Sequence, residues 1–151
     1  MSGAAQPAAE RSVARRYFED LFNAGDLAVA DEILDPDISF AGPITPDGLY
    51  GLDAYKRFAL GWYEGFPDRH FEVVEEWVDG DRIATVFRIT GTHAGVFMGQ
   101  AATGNAIDVV GMNFFQVGRG KIRAIQAFFN PLHLLQPIGL AASRNALDLS
   151  Q

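Results

Sequence analysis

The sequence predicts an α+β fold in which three N-terminal helices cover one face of a curved antiparallel sheet. Up to residue 65, apolar side chains recur at helical spacing, as in residues 10–24 and 53–64. From Phe71 onward the apolar period becomes two, and glycine-containing turns separate successive apolar runs. Helices followed by strands are typical of α+β domains, and together they would enclose a cone-shaped, mostly apolar pocket.

The N-terminal half is predicted to alternate helices with irregular segments. An apolar stripe that includes Tyr17 marks the first helix, and Gly25 is placed to end it. Asp26 is suited to cap a second helix, and Gly65 to end a third. The predicted elements are a helix at 10–24, a helix at 27–34, a turn at 35–37, a short strand at 38–40, a loop at 41–51 and a helix from 52 or 53 to 64.

The C-terminal half is predicted to form an antiparallel meander of strands. Turn sequences such as Asp79-Gly80-Asp81 and Gly118-Arg119-Gly120-Lys121 join neighbouring strands as hairpins. Pro131 ends the last strand because it cannot donate to a strand ladder. The predicted strands span 71–78, 82–91, 107–117 and 122–129, and a tail that is mostly irregular or weakly helical follows at 133–147.

Length and composition favour one globular domain with a small-molecule partner. The chain has 151 residues, a net charge of −7 and no run of Lys and Arg, so nucleic acid is not an expected partner. It has no cysteine, its three histidines lie far apart, and it has no P-loop or dinucleotide motif, so no metal or other cofactor is expected. No apolar run could span a bilayer and no secretory signal begins the chain, so we expect no membrane contact and a cytoplasmic location. The predicted organisation is a disordered leader at 1–9, a single domain at 10–140 and a tail at 141–151.

Few polar residues interrupt the two long C-terminal strands, and these are the first candidates for a functional site, because an unpartnered polar group is costly to bury. Gln126 and Asn130 have the same parity, so their side chains face the same side of the sheet. The alternative for Asn130 is that it only caps the strand end before Pro131. Asn113 and Gln116 have opposite parity, so only one of them can face a pocket.

A series of short motifs runs in order along most of the chain: FNAGD at 22–26, FPD at 66–68, GDRIA at 80–84, GTHAGVFMG at 91–99, TG at 103–104, GKI at 120–122 and LLQPIG at 134–139. These motifs resemble those of the SnoaL-like polyketide cyclases, within the nuclear-transport-factor-2-like superfamily. The resemblance implies an α+β barrel with a pocket between helices and sheet. It leaves the reaction open, because this fold hosts cyclases, isomerases, dehydratases, epoxide hydrolases and binding modules.

The resemblance also implies where the catalytic group would lie. The family's last strand usually ends in Trp-x-x-x-Asp, whose Asp is the general acid and base, and these positions hold Gln126 and Asn130 here. An amide cannot take up a proton as a carboxylate does, so this chain keeps the scaffold without the usual ionisable group. The resemblance favours Gln116 as the pocket residue, and Asn113 then points to the other face of the sheet.

The predicted site combines amides that polarise a carbonyl with an aromatic wall that folds the substrate. For Tyr17 a purely structural core position is the competing interpretation. For Arg88 it is an ion pair with Glu72, Glu75 or Glu76 on the neighbouring strand. The predicted catalytic residues are Asn130, Gln126 and Gln116, and the predicted substrate-binding residues are Tyr17, Phe18, Trp62, Arg88, Met112, Phe114 and Phe128.

The leading functional hypothesis is a cofactor-independent cyclase, of the lyase or isomerase type, that acts on an apolar polyketide-type intermediate of antibiotic or related natural-product biosynthesis. Folding the substrate and activating one carbonyl would suffice for an enol-driven or pericyclic ring closure. One alternative is an epoxide hydrolase or epoxide-opening cyclase, which needs a carboxylate in the pocket, such as Asp108 or a glutamate beside Arg88. The other alternative is a small-molecule binding protein without catalysis.

Both faces of the strand at 107–117 are apolar, although helices can cover only one face of the sheet. If Met112 and Phe114 face the pocket, Val109 and Phe115 are left bare, and such a patch is unusual on a soluble monomer. We therefore expect a homodimer that forms sheet face to sheet face, with Asn113 near the two-fold axis.

Overall fold

The computed structural model of the protein describes residues 11–140, and the predicted leader and C-terminal tail lie outside the described residues. The helices and the sheet form two layers, which confirms the predicted α+β fold. In chain order the elements are α1 (Val13–Arg16), which continues as a π-helical segment (Tyr17–Asn23), α2 (Val29–Ile33), β1 (Leu34–Gly42), β2 (Thr45–Tyr50), α3 (Leu52–Gly65), β3 (His70–Asp79), β4 (Arg82–Thr92), β5 (Ala106–Gly118), β6 (Lys121–Phe129) and α4 (Pro131–Leu135).

The six strands form one sheet in the order β2-β1-β6-β5-β4-β3. Neighbours pair antiparallel except β1 and β6, which are parallel. Alternate residues of the central strands are buried and exposed, so the sheet has two distinct faces. The helix-covered face carries Ile83, Thr85, Phe87, Ile89, Ile107, Val109, Gly111, Asn113, Phe115, Ile125 and Ala127, and the open face carries Arg88, Asp108, Val110, Met112, Phe114, Gln116, Gln126 and Phe128.

The turn predicted at 35–37 was wrong, because these residues belong to β1. The loop predicted at 41–51 was wrong for most of its length, because only residues 43, 44 and 51 lie outside β1 and β2. The Asp35 carboxylate does accept a hydrogen bond from the Asp37 N–H at 2.8 Å, as in an Asx turn, but within an irregular stretch of β1. Pro46 is tolerated in β2 because this strand lies at the sheet edge, where a missing N–H breaks no ladder bond.

The predicted third helix and the four C-terminal strands are confirmed to within two residues at their ends. The second helix begins at Val29 rather than Leu27, because the Asp26 carboxylate accepts from the Ala28 N–H in a turn that precedes it. A further short helix, α4, follows Asn130, and it overlaps the start of the tail that was predicted to be mostly irregular or weakly helical.

Aromatic side chains from the helices and the helix-covered face fill the space between the two layers. Phe18 packs edge-on against Phe115 and tilted against Phe87, with ring centroids 6.0 and 5.8 Å apart. Phe22 stacks on Phe71 at 4.8 Å. This packing ties the first helical segment to β3, β4 and β5 and leaves a narrow interior space beside it. Within residues 11–140, no helix is both long and apolar enough to cross a membrane.

Candidate functional site

A small cavity of about 40 Å³ lies between the helices and the helix-covered face of the sheet. Its walls are almost entirely aromatic and aliphatic, and no carboxylate lines it among the described residues. We call it the interior cavity, and its lining comprises Tyr17, Phe22, Phe40, Gly42, Ile44, Phe58, Trp62, Phe71, Phe87, Ile89, Asn113, Ala127 and Phe129.

Two polar side chains, those of Tyr17 and Asn113, reach this apolar cavity. The Tyr17 hydroxyl hydrogen-bonds the hydroxyl of Tyr55, which comes from α3, and both rings are almost completely buried. Burial raises the pKa of Tyr17 above its usual value, although hydrogen bonds with Tyr55 and Asn113 act in the opposite direction. Burial likewise raises the pKa of Tyr55. Both phenols are therefore neutral hydrogen-bond donors at physiological pH.

The π-helical segment determines where Tyr17 points. Tyr17 and Phe22 both line the cavity, with ring centroids 5.0 Å apart, although they are five residues apart in sequence. In an α-helix this separation would rotate them roughly 140° from each other, whereas the i→i+5 bonds of a π-helix bring them to one face. The wider turn of this segment thus aims both side chains at the cavity.

Side chains from α3 and from the connection to β3 hold the end of this segment. The Tyr63 hydroxyl donates to the Leu21 carbonyl, and Arg69 Nε donates to the Phe22 carbonyl at 2.6 Å. The Arg69 guanidinium also lies 4.3 Å from the centre of the Tyr63 ring. These contacts satisfy carbonyls that the end of a helix would otherwise leave unpaired.

Four residues at one end of the cavity are partly exposed and form its mouth: Gly42, Ile44, Phe58 and Phe129. The volume of about 40 Å³ exceeds the roughly 10–15 Å³ that one water molecule needs. A drug-sized ligand occupies a site of roughly 300 Å³ or more. A ligand of that size therefore enters only when the mouth residues move apart.

The prediction for β5 was wrong about which face is covered. Met112, Phe114 and Gln116 lie on the open face, and Asn113 lies under the helices with 4% exposure. The helices pack on the face that carries Val109 and Phe115, the two residues that were expected to be bare. Asn113, not Gln116, is therefore the amide that reaches the cavity.

Two other predicted residues of the last strand, Gln126 and Phe128, also lie on the open face, because the buried residues of β6 there are Ile125 and Ala127. The predicted substrate contact Arg88 is on this face as well. Its guanidinium makes a bidentate ion pair with Asp108 on β5 rather than a salt bridge with a β3 glutamate. Arg88 Nε donates to Asp108 Oδ1 at 2.8 Å and Arg88 Nη2 donates to Asp108 Oδ2 at 2.5 Å.

Asn130 does not reach the cavity either. Its Oδ1 accepts a hydrogen bond from the Leu132 N–H at 3.0 Å, and the residue is exposed, so it caps α4. The capping interpretation at the end of the strand is thus the one the geometry favours. Of the other predicted residues, Tyr17 and Trp62 line the cavity, and Phe18 is buried in the core beside it.

Sequence reasoning missed two of the three polar groups at this site, Tyr55 and the inward position of Asn113. Tyr55 lies on the apolar face of the third helix, with Ala59 and Trp62, a position typical of core side chains. Asn113 has the same parity as Ile107, Val109 and Phe115. That odd-numbered series is the more β-branched and aromatic of the two, and this signal could have indicated the covered face.

The chain and its fold were found to be similar to one sequence family and to several solved structures. The family model for SnoaL-like polyketide cyclases matches residues 12–138. A proposed SnoaL-like polyketide cyclase from Jannaschia sp. CCS1 has 24% identity and a TM-score of 0.77, over 85% of this chain and 90% of that chain. IdmH, a proposed polyketide cyclase from Streptomyces antibioticus, has 25% identity and a TM-score of 0.69, over 84% and 96%. TsrD from Streptomyces laurentii has 20% identity and a TM-score of 0.71, over 89% and 98%. No protein with a curated description matches the chain.

Proposed function

The chain belongs to the SnoaL-like polyketide cyclase family, as its motifs predicted, and we propose that it is a cofactor-independent cytoplasmic cyclase that closes a ring in an apolar polyketide-type intermediate. The family and the similar structures support a cyclase- or isomerase-type function in general. The finer assignment draws its support from the interior cavity. The observation that carries it is the Tyr17 hydroxyl, held beside Tyr55 and Asn113 in an otherwise apolar space.

A neutral phenol in an apolar cavity is suited to stabilise charge on a carbonyl oxygen. Preorganised donors act strongly where water is excluded, because they need no reorganisation as the charge develops. Tyr17 would donate to the carbonyl oxygen under attack, and Tyr55 behind it would support the developing charge through the shared hydrogen bond. The aromatic walls would hold the chain of the substrate folded, so that the reacting carbons approach each other.

The proposed reaction needs no carboxylate base. In an enol-driven closure, the enol carbon forms the new bond to the carbonyl carbon, the carbonyl oxygen becomes a hydroxyl, and the enol oxygen becomes a carbonyl. The proton lost from the enol oxygen balances the proton gained by the new hydroxyl, so the product is an isomer of the substrate. A pericyclic closure transfers no proton at all. The epoxide-opening alternative loses its support, since no Asp or Glu lines the cavity within residues 11–140.

The proposal is tested by supplying the protein with a linear poly-β-carbonyl intermediate and no added cofactor. We expect a cyclic product of unchanged mass, or one lighter by a water molecule if dehydration follows, because ring closure only rearranges bonds. Mass spectrometry with NMR of the product measures this, against heat-inactivated protein. If the intermediate raises the melting temperature but is never converted, the protein is the small-molecule binder of the alternative hypothesis.

We also propose that the protein is a homodimer, joined through the open face rather than through a face that carries Asn113. The open face displays large apolar side chains, with Val110, Phe114 and Phe128 each about half exposed. Phe114 and Phe128 pack edge-on, with centroids 5.9 Å apart, near the middle of this surface. Burying it against a second copy would remove apolar area from water and leave each interior cavity complete within one chain.

Light scattering is expected to give twice the 16.5 kDa mass of the chain at micromolar concentration. The variant Phe114→Asp should run at the mass of one chain, because a carboxylate at the centre of an apolar interface is costly to desolvate. Leu60→Asp is the matched control, since Leu60 is 47% exposed on α3, away from the sheet. A wild-type protein that runs as a monomer at this concentration would contradict the proposal.

A further inference from the structure

The side-chain oxygen of Asn113 is a buried hydrogen-bond acceptor without a partner. Asn113 is 4% exposed, lines the interior cavity, and no described residue donates to its Oδ1. An unsatisfied buried acceptor costs roughly 1–3 kcal/mol, so such a group in a folded protein calls for an explanation. A ligand in the cavity that brings a donor would supply the missing partner.

The hydroxyl pair beside this group can offer a hydrogen-bond donor to a ligand in the cavity. Tyr17 lines the cavity and Tyr55 does not. Either hydroxyl could be the donor in the bond between them. When Tyr55 donates, Tyr17 accepts on its oxygen and keeps its own O–H free to donate, while Asn113 Oδ1 has no donor among the described residues.

The lining also limits the charge of a ligand. No Asp, Glu, Lys or Arg side chain lines the cavity in the part of the chain that the structure describes. A charged ligand would leave water without gaining a counter-ion, which is strongly unfavourable in an apolar space. The matching ligand is therefore neutral and mostly apolar, and has one hydrogen-bond acceptor and one hydrogen-bond donor.

We propose that Asn113 is the specificity-determining residue of the interior cavity and that its Oδ1 accepts a hydrogen bond from a hydroxyl or enol O–H of a neutral apolar ligand. The ligand's carbonyl then lies against the Tyr17 hydroxyl. Applied to the substrate, this inference rests on the proposed function, and it restricts the substrate to the enol form of a 1,3-dicarbonyl or to a hydroxyl-bearing equivalent. In that form the Asn113 oxygen would accept a hydrogen bond from the enol O–H and so orient the enol, while the displaced proton goes to balance the new hydroxyl.

The test compares two probes that differ only in the donor, 2-naphthol and 2-methoxynaphthalene, by isothermal titration at pH 7. Wild-type protein is expected to bind 2-naphthol about three- to tenfold more tightly than 2-methoxynaphthalene, which is the effect of one net hydrogen bond. In Asn113→Leu the ratio of the two dissociation constants should fall to about one, because the acceptor is replaced by an apolar group of similar size. Gln116→Leu, on the open face, is the matched control and should keep the wild-type preference.

The variants are expected to fold, since the buried Oδ1 of Asn113 lacks a partner and its replacement by an apolar group costs little. Asn113→Val, with a β-branched residue suited to a strand, is a second variant with the same expected result. Equal binding of both probes by wild-type protein, or a preference retained in both Asn113 variants, would overturn the inference. So would failure of wild-type protein to bind either probe. The proposed function is tested separately. It would be wrong if the protein prefers 2-naphthol but does not catalyse ring closure.

Discussion

Replacing Tyr17 with Phe is expected to lower kcat for ring closure by about 10²–10³-fold, the usual effect of removing one donor to a developing oxyanion. The phenylalanine ring keeps the contacts with Phe22 and Phe115, whose centroids lie 5.0 and 5.3 Å from that of Tyr17. Only the hydroxyl is lost, so KM should change much less than kcat. Steady-state kinetics on the converted intermediate measure both quantities.

Tyr50→Phe is the matched control, because Tyr50 is 72% exposed on the edge strand β2 and its hydroxyl is not part of the cavity. Its kcat should equal that of the wild type. The pH profile adds a second check, since the raised pKa of Tyr17 keeps its hydroxyl protonated throughout the neutral range. An unchanged kcat in Tyr17→Phe would remove Tyr17 from the chemistry and leave the cavity with a binding role only.

The variant Gly111→Ala is expected to destabilise the protein by about 3 kcal/mol, because the centre of the sheet has no room for the added methyl group. A Cβ at Gly111 would lie 2.5 Å from the backbone oxygen of Phe128, 2.7 Å from the Phe87 ring and 2.8 Å from the Phe129 Cβ. These neighbours belong to β4 and β6, on either side of β5, so a shift must spread through the centre of the sheet. Thermal unfolding should show a melting temperature lower by roughly 6–12 °C.

A substitution at a second glycine is the control, and it is expected to change the free energy of unfolding in the opposite direction. Gly61 lies inside α3, and a Cβ there would meet no atom within 4 Å. Gly61→Ala should therefore raise the free energy of unfolding by about 0.5–1 kcal/mol, since alanine favours the helix and restricts the unfolded chain. If Gly111→Ala melts at or above the wild-type temperature, the close packing of β4, β5 and β6 described around Gly111 is contradicted.

The change of apolar period from helical to two was enough to predict the fold class, α3 and the four C-terminal strands. These elements are long, and their periodicity is set by local backbone geometry, so a single sequence carries the signal. The edge strand β2 and the irregular start of β1 were missed for a related reason. Proline and glycine at 41–51 normally indicate a loop, and only the position at the sheet edge allows these residues to pair.

The position of the candidate site depended on which face of the sheet the helices cover. Along β5 both parities are apolar, so alternation identified the strand but not which face the helices cover. Choosing the wrong face exchanged Asn113 for Gln116 and moved Met112, Phe114 and Phe128 from the open surface into the predicted pocket.

By itself, the sequence determined the family, the α+β fold class with its C-terminal strands, and the presence of an apolar cavity with Tyr17 and Trp62 in its wall. Only the tertiary structure decided that Tyr55 and Asn113 meet Tyr17 there, because these residues lie on three elements far apart in the chain. Their meeting depends on how the helices dock on the sheet and on the π-helical turn that aims Tyr17 inward. Both are properties of packing between elements, which the period of any one element does not specify.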